Sequence, residues 1–380
     1  MILTHCPVCV AELPPLSAKQ CSRCKTRYCG PECQKQHWEG GGHDKLCRKI
    51  RKGGGAEQYN ANEKYAETVA VAAEACADDT KGQTCYICTQ ALHWKTKEGL
   101  VRMCSCRGTS GFAHVSCLAE EAKILWAEAE ENHVDGDALQ ARWNRWHVCS
   151  LCEQEYHGVV MSALGWACWK TYVARPEADM SRINAMTTLA NGLRSAKQHR
   201  ERLGLLESQL ALMQRNRVHP QNFLGTQGSI ASCLETLGRT EESQKLSVQI
   251  LSSMKAVQGN RHRHTIIMGG NLATSLQDSK RHAEALSLAA EYLPISESVL
   301  GPDDITTLRL RKCYLRARTF DPSASLDDIR EIAVSFEDLH RTALRVLGKQ
   351  HPITVRCKDD LAACRTGIAR TEERMAALAL

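Results

Sequence analysis

Hydrophobic and polar positions divide this 380-residue chain into two regimes. Residues 157–380 are built from leucine, alanine and charged residues in stretches that read as helices separated by short turns. The stretches repeat. Gly259-x5-Thr265, Gly301-x5-Thr307 and Gly348-x5-Thr354 recur 42 and 47 residues apart, and Leu189-Ala190, Ile230-Ala231 and Leu272-Ala273 recur 41 and 42 apart. Each unit reads as a helix, a turn such as residues 237–240 or 278–281, and a second helix. Helix pairs of this kind cannot bury their apolar faces alone, so stacking into an α-solenoid is predicted. Upstream, residues 158–169 are uncharged and predict a buried helix. Residues 120–131 read as helical, and residues 56–77, rich in alanine and glutamate after Gly53-Gly54-Gly55, predict a helix within a linker over 48–84.

Residues 6–47 are too few to bury an adequate core, and here the cysteines change the picture. Of 20 cysteines, fourteen fall with His43 and His114 into two eight-residue strings before residue 153. The first is Cys6-x2-Cys9, Cys21-x2-Cys24, Cys29-x3-Cys33 and His43-x3-Cys47. The second is Cys85-x2-Cys88, Cys104-x-Cys106, His114-x2-Cys117 and Cys149-x2-Cys152. Each short step can chelate, and zinc takes four thiolate or imidazole ligands at a tetrahedron, so each string predicts two ions and the chain four. A structural zinc contributes on the order of 10 kcal/mol of apparent binding energy, so metal more than core should stabilise these modules. His37, four residues after Cys33 and beside Trp38, competes with His43 as a ligand; His43 is preferred, with His37 expected to be a solvated neighbour. Closed four-ligand shells leave no position for water or substrate, which excludes hydrolytic zinc chemistry.

The run Tyr28-Cys29-Gly30-Pro31-Glu32-Cys33-Gln34-Lys35-Gln36-His37-Trp38, followed by His43-Asp44-Lys45-Leu46-Cys47, resembles a MYND zinc finger over residues 6–47. That resemblance implies a cross-brace: Cys6, Cys9, Cys29 and Cys33 on one ion, Cys21, Cys24, His43 and Cys47 on the other. It also implies binding of short proline-containing motifs. Residues 85–156 resemble the RING-CH, or RING-variant, zinc finger, carried by Cys104-x-Cys106, the seven-residue step to His114, and the run from Arg107 through Gly108, Gly111, Phe112 and Cys117 to Leu118. That likeness implies one ion on Cys85, Cys88, His114 and Cys117 and a second on Cys104, Cys106, Cys149 and Cys152. It further implies ubiquitin ligase activity by docking a charged ubiquitin-conjugating enzyme, with Ile87 and Leu151 as the carried-over docking residues and no nucleophile of the chain's own. Two departures stand against activity. Glu153 follows the last ligand where many active RING-type domains carry a basic residue, and residues 118–148, with Trp126, Trp143 and Trp146, form a longer insertion than is usual in that family.

Composition narrows the rest. The formal charge of +6 treats cysteines as neutral. Fourteen thiolates and four zinc ions bring it to about zero, so a nucleic-acid partner is not expected, and the basic run 48–52 lacks interleaved aromatics. Reduced thiols, no secretory leader and no membrane-length apolar run predict a soluble protein of the cytosol or nucleus. Isolated Cys76, Cys168, Cys233, Cys313, Cys357 and Cys364 are expected to pack in cores. His262, His264 and His351 sit at turns and are expected to cap helices or face solvent.

Asn271-Leu272-Ala273-Thr274-Ser275-Leu276, then Glu284-Ala285-Leu286 and Leu300-Gly301-Pro302-Asp303-Asp304, with His351-Pro352-Ile353-Thr354 further on, resemble the long tetratricopeptide repeat of kinesin light chains over residues 176–370. This implies peptide or protein binding on a concave face. The expected architecture is multidomain and mainly α. A MYND-type finger at 6–47 and a RING-CH-type finger at 85–156, both cross-brace double-zinc modules, precede a solenoid of tetratricopeptide-like helix pairs over 157–380. Two function classes follow: a soluble ubiquitin ligase that recruits substrate through the repeats and the MYND finger, or a non-enzymatic, zinc-stabilised interaction scaffold.

Overall fold

The computed structural model describes residues 4–14, 17–218, 223–348 and 352–378. The short first elements frame metal-ligand turns: β1 (Lys19–Gln20) pairs antiparallel with β2 (Arg27–Tyr28), Lys19 opposite Tyr28, and α1 (Pro31–Glu39) and α2 (His43–Lys52) follow. Then come α3 (Ala56–Ala75), α4 (Ala77–Thr80), α5 (Val115–Glu131), α6 (Gly136–Asn144), α7 (Gly158–Tyr172), α8 (Met180–Ser195) and α9 (His199–Arg215). The remaining helices are α10 (Phe223–Thr236), α11 (Thr240–Gln258), α12 (Arg263–Asp278), α13 (His282–Val299), α14 (Ile305–Thr319), α15 (Leu326–Leu347) and α16 (Pro352–Leu378). The chain divides into two compact units, Met1–Thr226 and Gln227–Leu380. None of the described helices is long and apolar enough to cross a membrane.

In the first unit α7 is the central post. It is apolar on every side, so it must be covered on every side. Helices α3, α5 and α8 supply that cover, and Leu164, Trp166 and Trp169 are buried in it. Each such side chain contributes about 2 kcal/mol on burial. The segment 48–84, expected as a linker, is therefore more than a tether. Val69, Ala72 and Cys76 from its helical part share one core with Leu100, Phe112, Val115 and Leu118 of the second cysteine module and with Val160 and Leu164 of α7. Alanines at 61 and 72, both fully buried, let α3 lie close. The insertion 118–148 also turns inward. Trp126, Trp143 and Trp146 are all buried and form an aromatic cluster with Tyr172 of α7.

Helices α7 and α8 cross where glycine meets glycine. A β-carbon on Gly165 would lie 3.2 Å from the Thr188 carbonyl oxygen and 3.3 Å from Cα of Gly192. One on Gly192 would lie 3.1 Å from the Met161 carbonyl oxygen. These neighbours are backbone and cannot swing aside. Gly192→Val is therefore expected to lower the unfolding free energy by about 1–3 kcal/mol. Chemical denaturation of the zinc-loaded protein reads this out, and an unchanged midpoint would refute the close-approach account.

In the second unit consecutive helices pack on one another, α12 on α13, α13 on α14 and α15 on α16, with α12 also touching α14 and α14 touching α16. Contact between alternate helices is the mark of a solenoid. The Gly-x5-Thr repeat has a physical role. The glycines adopt φ of 81°, 93° and 83° after α11, α13 and α15, and the threonines are buried at 0%, 0% and 1% exposure. Each hydroxyl ties back to the preceding helix: Thr265 accepts from Gln258 at 3.1 Å, Thr307 pairs with Ser296 at 2.6 Å, and Thr354 donates to the Ala343 carbonyl at 3.2 Å. His262 caps α12 by accepting from the His264 amide at 3.3 Å, while His351 lies outside the described residues. Cys76, Cys168, Cys233, Cys313, Cys357 and Cys364 are buried.

Candidate metal centres

Four of the cysteine pairs fold into one shared turn. In Cys6-x2-Cys9, Cys21-x2-Cys24, Cys85-x2-Cys88 and Cys149-x2-Cys152, the residue after the second cysteine adopts a left-handed backbone, with φ of 60° at Val10, 65° at Lys25, 61° at Thr89 and 54° at Glu153. Its amide donates to the carbonyl of the first cysteine at 3.0, 3.0, 2.8 and 3.0 Å respectively. The first cysteine's own amide donates across the turn, to Ala11, Thr26, Gln90 and Gln154. Both sulfurs of a pair thereby point to one side, as bidentate ligation of one ion requires.

Each knuckle meets a second pair from elsewhere in the chain. Cys29 precedes α1 and Cys33 lies in its first turn. His43 and Cys47 are one helical turn apart on α2 and so share a face. His114 stands at the residue before α5 and Cys117 sits in the helix's first turn. Cys104 and Cys106 lie in a loop with no helix. The ligand atoms gather into four groups, each within 4.8 Å: Cys6, Cys9, Cys29 and Cys33; Cys21, Cys24, His43 and Cys47; Cys85, Cys88, His114 and Cys117; Cys104, Cys106, Cys149 and Cys152. All sixteen residues singled out by spacing thus converge, first pair with third and second with fourth in both strings.

The donor chemistry fits zinc. His114 turns Nδ1 toward Cys88 and Cys117, at 3.3 and 3.6 Å, while Nε2 faces the Ala91 carbonyl at 3.4 Å. A proton on Nε2 donated there leaves Nδ1 free as a lone-pair donor, the outer support common to metal-bound imidazoles. His43 presents Nε2 to Cys24 at 3.4 Å. Thr26 approaches the Cys24 sulfur at 3.1 Å, and the Ile87 amide donates to the Cys85 sulfur at 3.4 Å. Burial holds both imidazoles below their ordinary pKa, which favours the neutral, metal-binding form.

The sulfurs are too crowded to ionise together without a cation. Burial opposes ionisation of Cys6, yet backbone amides of Cys9 and Cys29 bring its thiol down to about 6. The Cys29 and Cys9 thiols push Cys33 up to about 12. Burial, then the Cys24 and Cys21 thiols, push Cys47 up to about 12. In the last tetrad Cys152 falls to about 7 through the Gln154 amide and Cys106, against burial, while burial raises Cys104 well above its ordinary value. One thiol ionises readily and its neighbours resist; a divalent ion removes that resistance and displaces the protons.

Two residues that are not ligands shape the sites. Gly111, at φ 85°, is pressed against the last tetrad: a β-carbon there would lie 2.5 Å from the Cys106 Cβ and 2.8 Å from its sulfur. The glycine-rich run Arg107 to Gly111 was the available signal. His37 is half-buried rather than solvated. Its Nδ1 lies 3.0 Å from the Tyr28 hydroxyl and its ring 4.8 Å from His43. The cause is Tyr28, fully buried, whose hydroxyl requires a polar partner inside the finger. Ile87 and Leu151 are 40% and 50% exposed, each inside a knuckle, and the Tyr86 and Ser150 hydroxyls beside them lie 3.0 Å apart.

Residues 6–47 match the MYND finger family. No curated protein matches the chain. Among solved structures, two from Podosopora anserina, described as kinesin light chain nearly identical TPR-like repeats, are 16% and 17% identical. The first covers 62% of this chain and 99% of its own at a TM-score of 0.41, the second 61% and 97% at 0.40. BtubC (BKLC) from P. vanneervenii is 12% identical, with 67% of this chain and 91% of its own covered at a TM-score of 0.34. A MYND finger is a zinc-binding domain, and the four tetrads give this chain places for four zinc ions.

Proposed function

We propose that the sixteen cysteine and histidine residues ligate four structural zinc ions, and that the module over residues 85–156, of RING-CH type, docks a ubiquitin-conjugating enzyme so that the chain acts as a ubiquitin ligase. The observation that carries this reading is the outward placement of Ile87 and Leu151 on two neighbouring knuckles joined by the Tyr86 and Ser150 hydroxyls. Two exposed aliphatic side chains held by metal-braced turns form a rigid apolar patch, which is what a docking surface needs. Zinc here supplies rigidity alone, because four protein ligands close its shell. In the transfer, a lysine amine of the substrate attacks the thioester between ubiquitin and the conjugating enzyme. An isopeptide bond forms, the enzyme's thiol leaves, and this chain contributes position only. The MYND finger and the helical repeats bind protein partners and bring the substrate.

Glu153 favours a second reading, that of a zinc-stabilised interaction scaffold. Its exposed carboxylate follows the last ligand, where ubiquitin's carbonyl oxygens would instead call for a donor. One assay separates the two. Single-turnover discharge of ubiquitin onto free lysine, from a panel of charged conjugating enzymes, is expected to accelerate with the zinc-loaded protein. Ile87→Ala combined with Leu151→Ala should reduce that acceleration about tenfold or more, at unchanged zinc content. Absence of acceleration across the panel, with zinc bound, would leave the scaffold.

A further inference from the structure

A cleft of about 780 Å³ opens in the first unit between α3, the loop holding Trp94 and Lys95, the start of α5 and the last turns of α7. It is separate from the Ile87 and Leu151 patch, neither of which lines it. Three lysines face it, Lys95, Lys123 and Lys170, together with Tyr65 and Trp94. Lys170 is the informative one. Its ammonium lies 4.2 Å from the centroid of the Tyr65 ring, and among the described residues no carboxylate pairs with it. Burial lowers its pKa, with Glu98 opposing from a distance. Glu98 is already committed: one oxygen accepts from the Ser116 amide at 2.7 Å, the other from the Ser116 hydroxyl at 2.8 Å. A half-buried cation over an aromatic face, with no directly paired carboxylate among the described residues, calls for an anion.

The rim completes the site. His93 pins its loop by accepting from the Thr96 amide at 3.1 Å and pairing with the Thr96 hydroxyl at 2.8 Å, so Trp94 and Lys95 stand on a fixed turn. Trp94 is 68% exposed, more than any other described tryptophan, and it leaves a large apolar face bare at the mouth of a cationic cleft. Lys123 is shared with Glu120 at 3.2 Å on the exposed surface, an arrangement too weak to neutralise the cleft.

We propose that this cleft binds an acidic peptide segment, whose carboxylates meet Lys95, Lys123 and Lys170 while an apolar side chain lies on Trp94. Charge complementarity selects the partner. A nucleic-acid strand adds a phosphate with every nucleotide and needs a cation for each, whereas Glu120 and Glu98 stand among the lysines here. A peptide places two or three carboxylates where the ammonium groups are and offers apolar atoms between them. The site does not depend on whether the neighbouring module discharges ubiquitin.

The test is selection of a random peptide library on the full zinc-loaded chain, run in parallel on Lys95→Glu and on Lys95→Glu combined with Lys170→Gln. The expected result is a pool rich in aspartate and glutamate around an apolar residue. Individual labelled peptides from it should bind at least about tenfold more weakly to the double variant and lose affinity as salt rises. Lys95 is exposed and makes no ion pair among the described residues, so the single variant keeps the fold and decides the matter alone if Lys170→Gln lowers zinc content. Peptides without acidic bias, or acidic peptides indifferent to both variants, would overturn the proposal. So would a single-stranded oligonucleotide that binds more tightly than the peptides with the same lysine dependence, since that would make the cleft a nucleic-acid surface.

Discussion

Stripping zinc with a strong chelator will unfold the finger over residues 6–47, release close to four equivalents of metal and free the ligand loops within residues 85–156, while the helices of Gln227–Leu380 stay folded. The two cysteine-rich modules contain little regular structure that is not anchored on a ligand, and the finger core consists of Cys6, Leu13, Cys21, Cys24, Tyr28 and Cys47. With each ion contributing on the order of 10 kcal/mol, nothing else in the small finger core compensates its loss, whereas the second module also shares a core with α3 and α7. Among the described residues the second unit holds no metal-ligand group, and its core is Leu308, Leu315, Phe336, Leu339 and their neighbours. Limited proteolysis with metal quantification reads both halves, and protection of residues 6–47 after complete zinc removal would refute the ligand assignment. Acid acts in the same direction. Burial depresses His43 and His114 below the ordinary 6.5, so the folded form binds fewer protons than the unfolded one. Stability from these groups is complete above that value and declines as pH falls below it. Protons also compete with zinc for every thiolate.

Trp146→Ala will cost about 3–5 kcal/mol of unfolding free energy at saturating zinc. Trp146 is fully buried, three residues before Cys149, and its ring lies 6.5 Å from Trp143 and 5.7 Å edge-on from Tyr172 of α7. Trp143 in turn meets Trp126 of α5 at 4.7 Å. The indole therefore joins the last knuckle to three helices. Alanine would leave a cavity that those helices cannot close, and would loosen the Val148 to Glu155 bridge that frames Cys149 and Cys152. Trp146→Phe, which keeps most of the apolar volume, should recover the larger part. A loss below about 1 kcal/mol for alanine would mean that the aromatic cluster does not hold the module to α7.

What the sequence made legible was local. Two cysteines three positions apart state their chelate whatever surrounds them, and Gly-x5-Thr marks a turn followed by a buried hydroxyl in each repeat. The helices α3 and α7 were also readable, since alanine-rich and uncharged runs name themselves. What α3 touches was not. Its role as a wall of the core depends on Ala61 and Ala72 meeting a helix roughly a hundred residues away, and no local pattern states that. The inward turn of His37 is illegible for the same reason, because the Tyr28 hydroxyl that draws it in lies across the finger. The cleft at Lys170 is a product of packing: Tyr65, Trp94, Lys123 and Lys170 are unremarkable in sequence and meet only when α3, α5 and α7 do.

The four knuckles carry Val10, Lys25, Thr89 and Glu153 at their shared left-handed position. Those side chains are aliphatic, cationic, hydroxylic and anionic, and two are β-branched, types that pay about 1–2 kcal/mol to be there. Metal closure thus dictates the conformation of this position and leaves its identity open. Such a position is evolvable: its residue varies over the whole range of charge without disturbing the cage behind it. Residue 153 is one of the four, so a lineage could pass from carboxylate to cation there in one substitution, and the surface presented to a partner would change sign while the fold beneath it stayed the same.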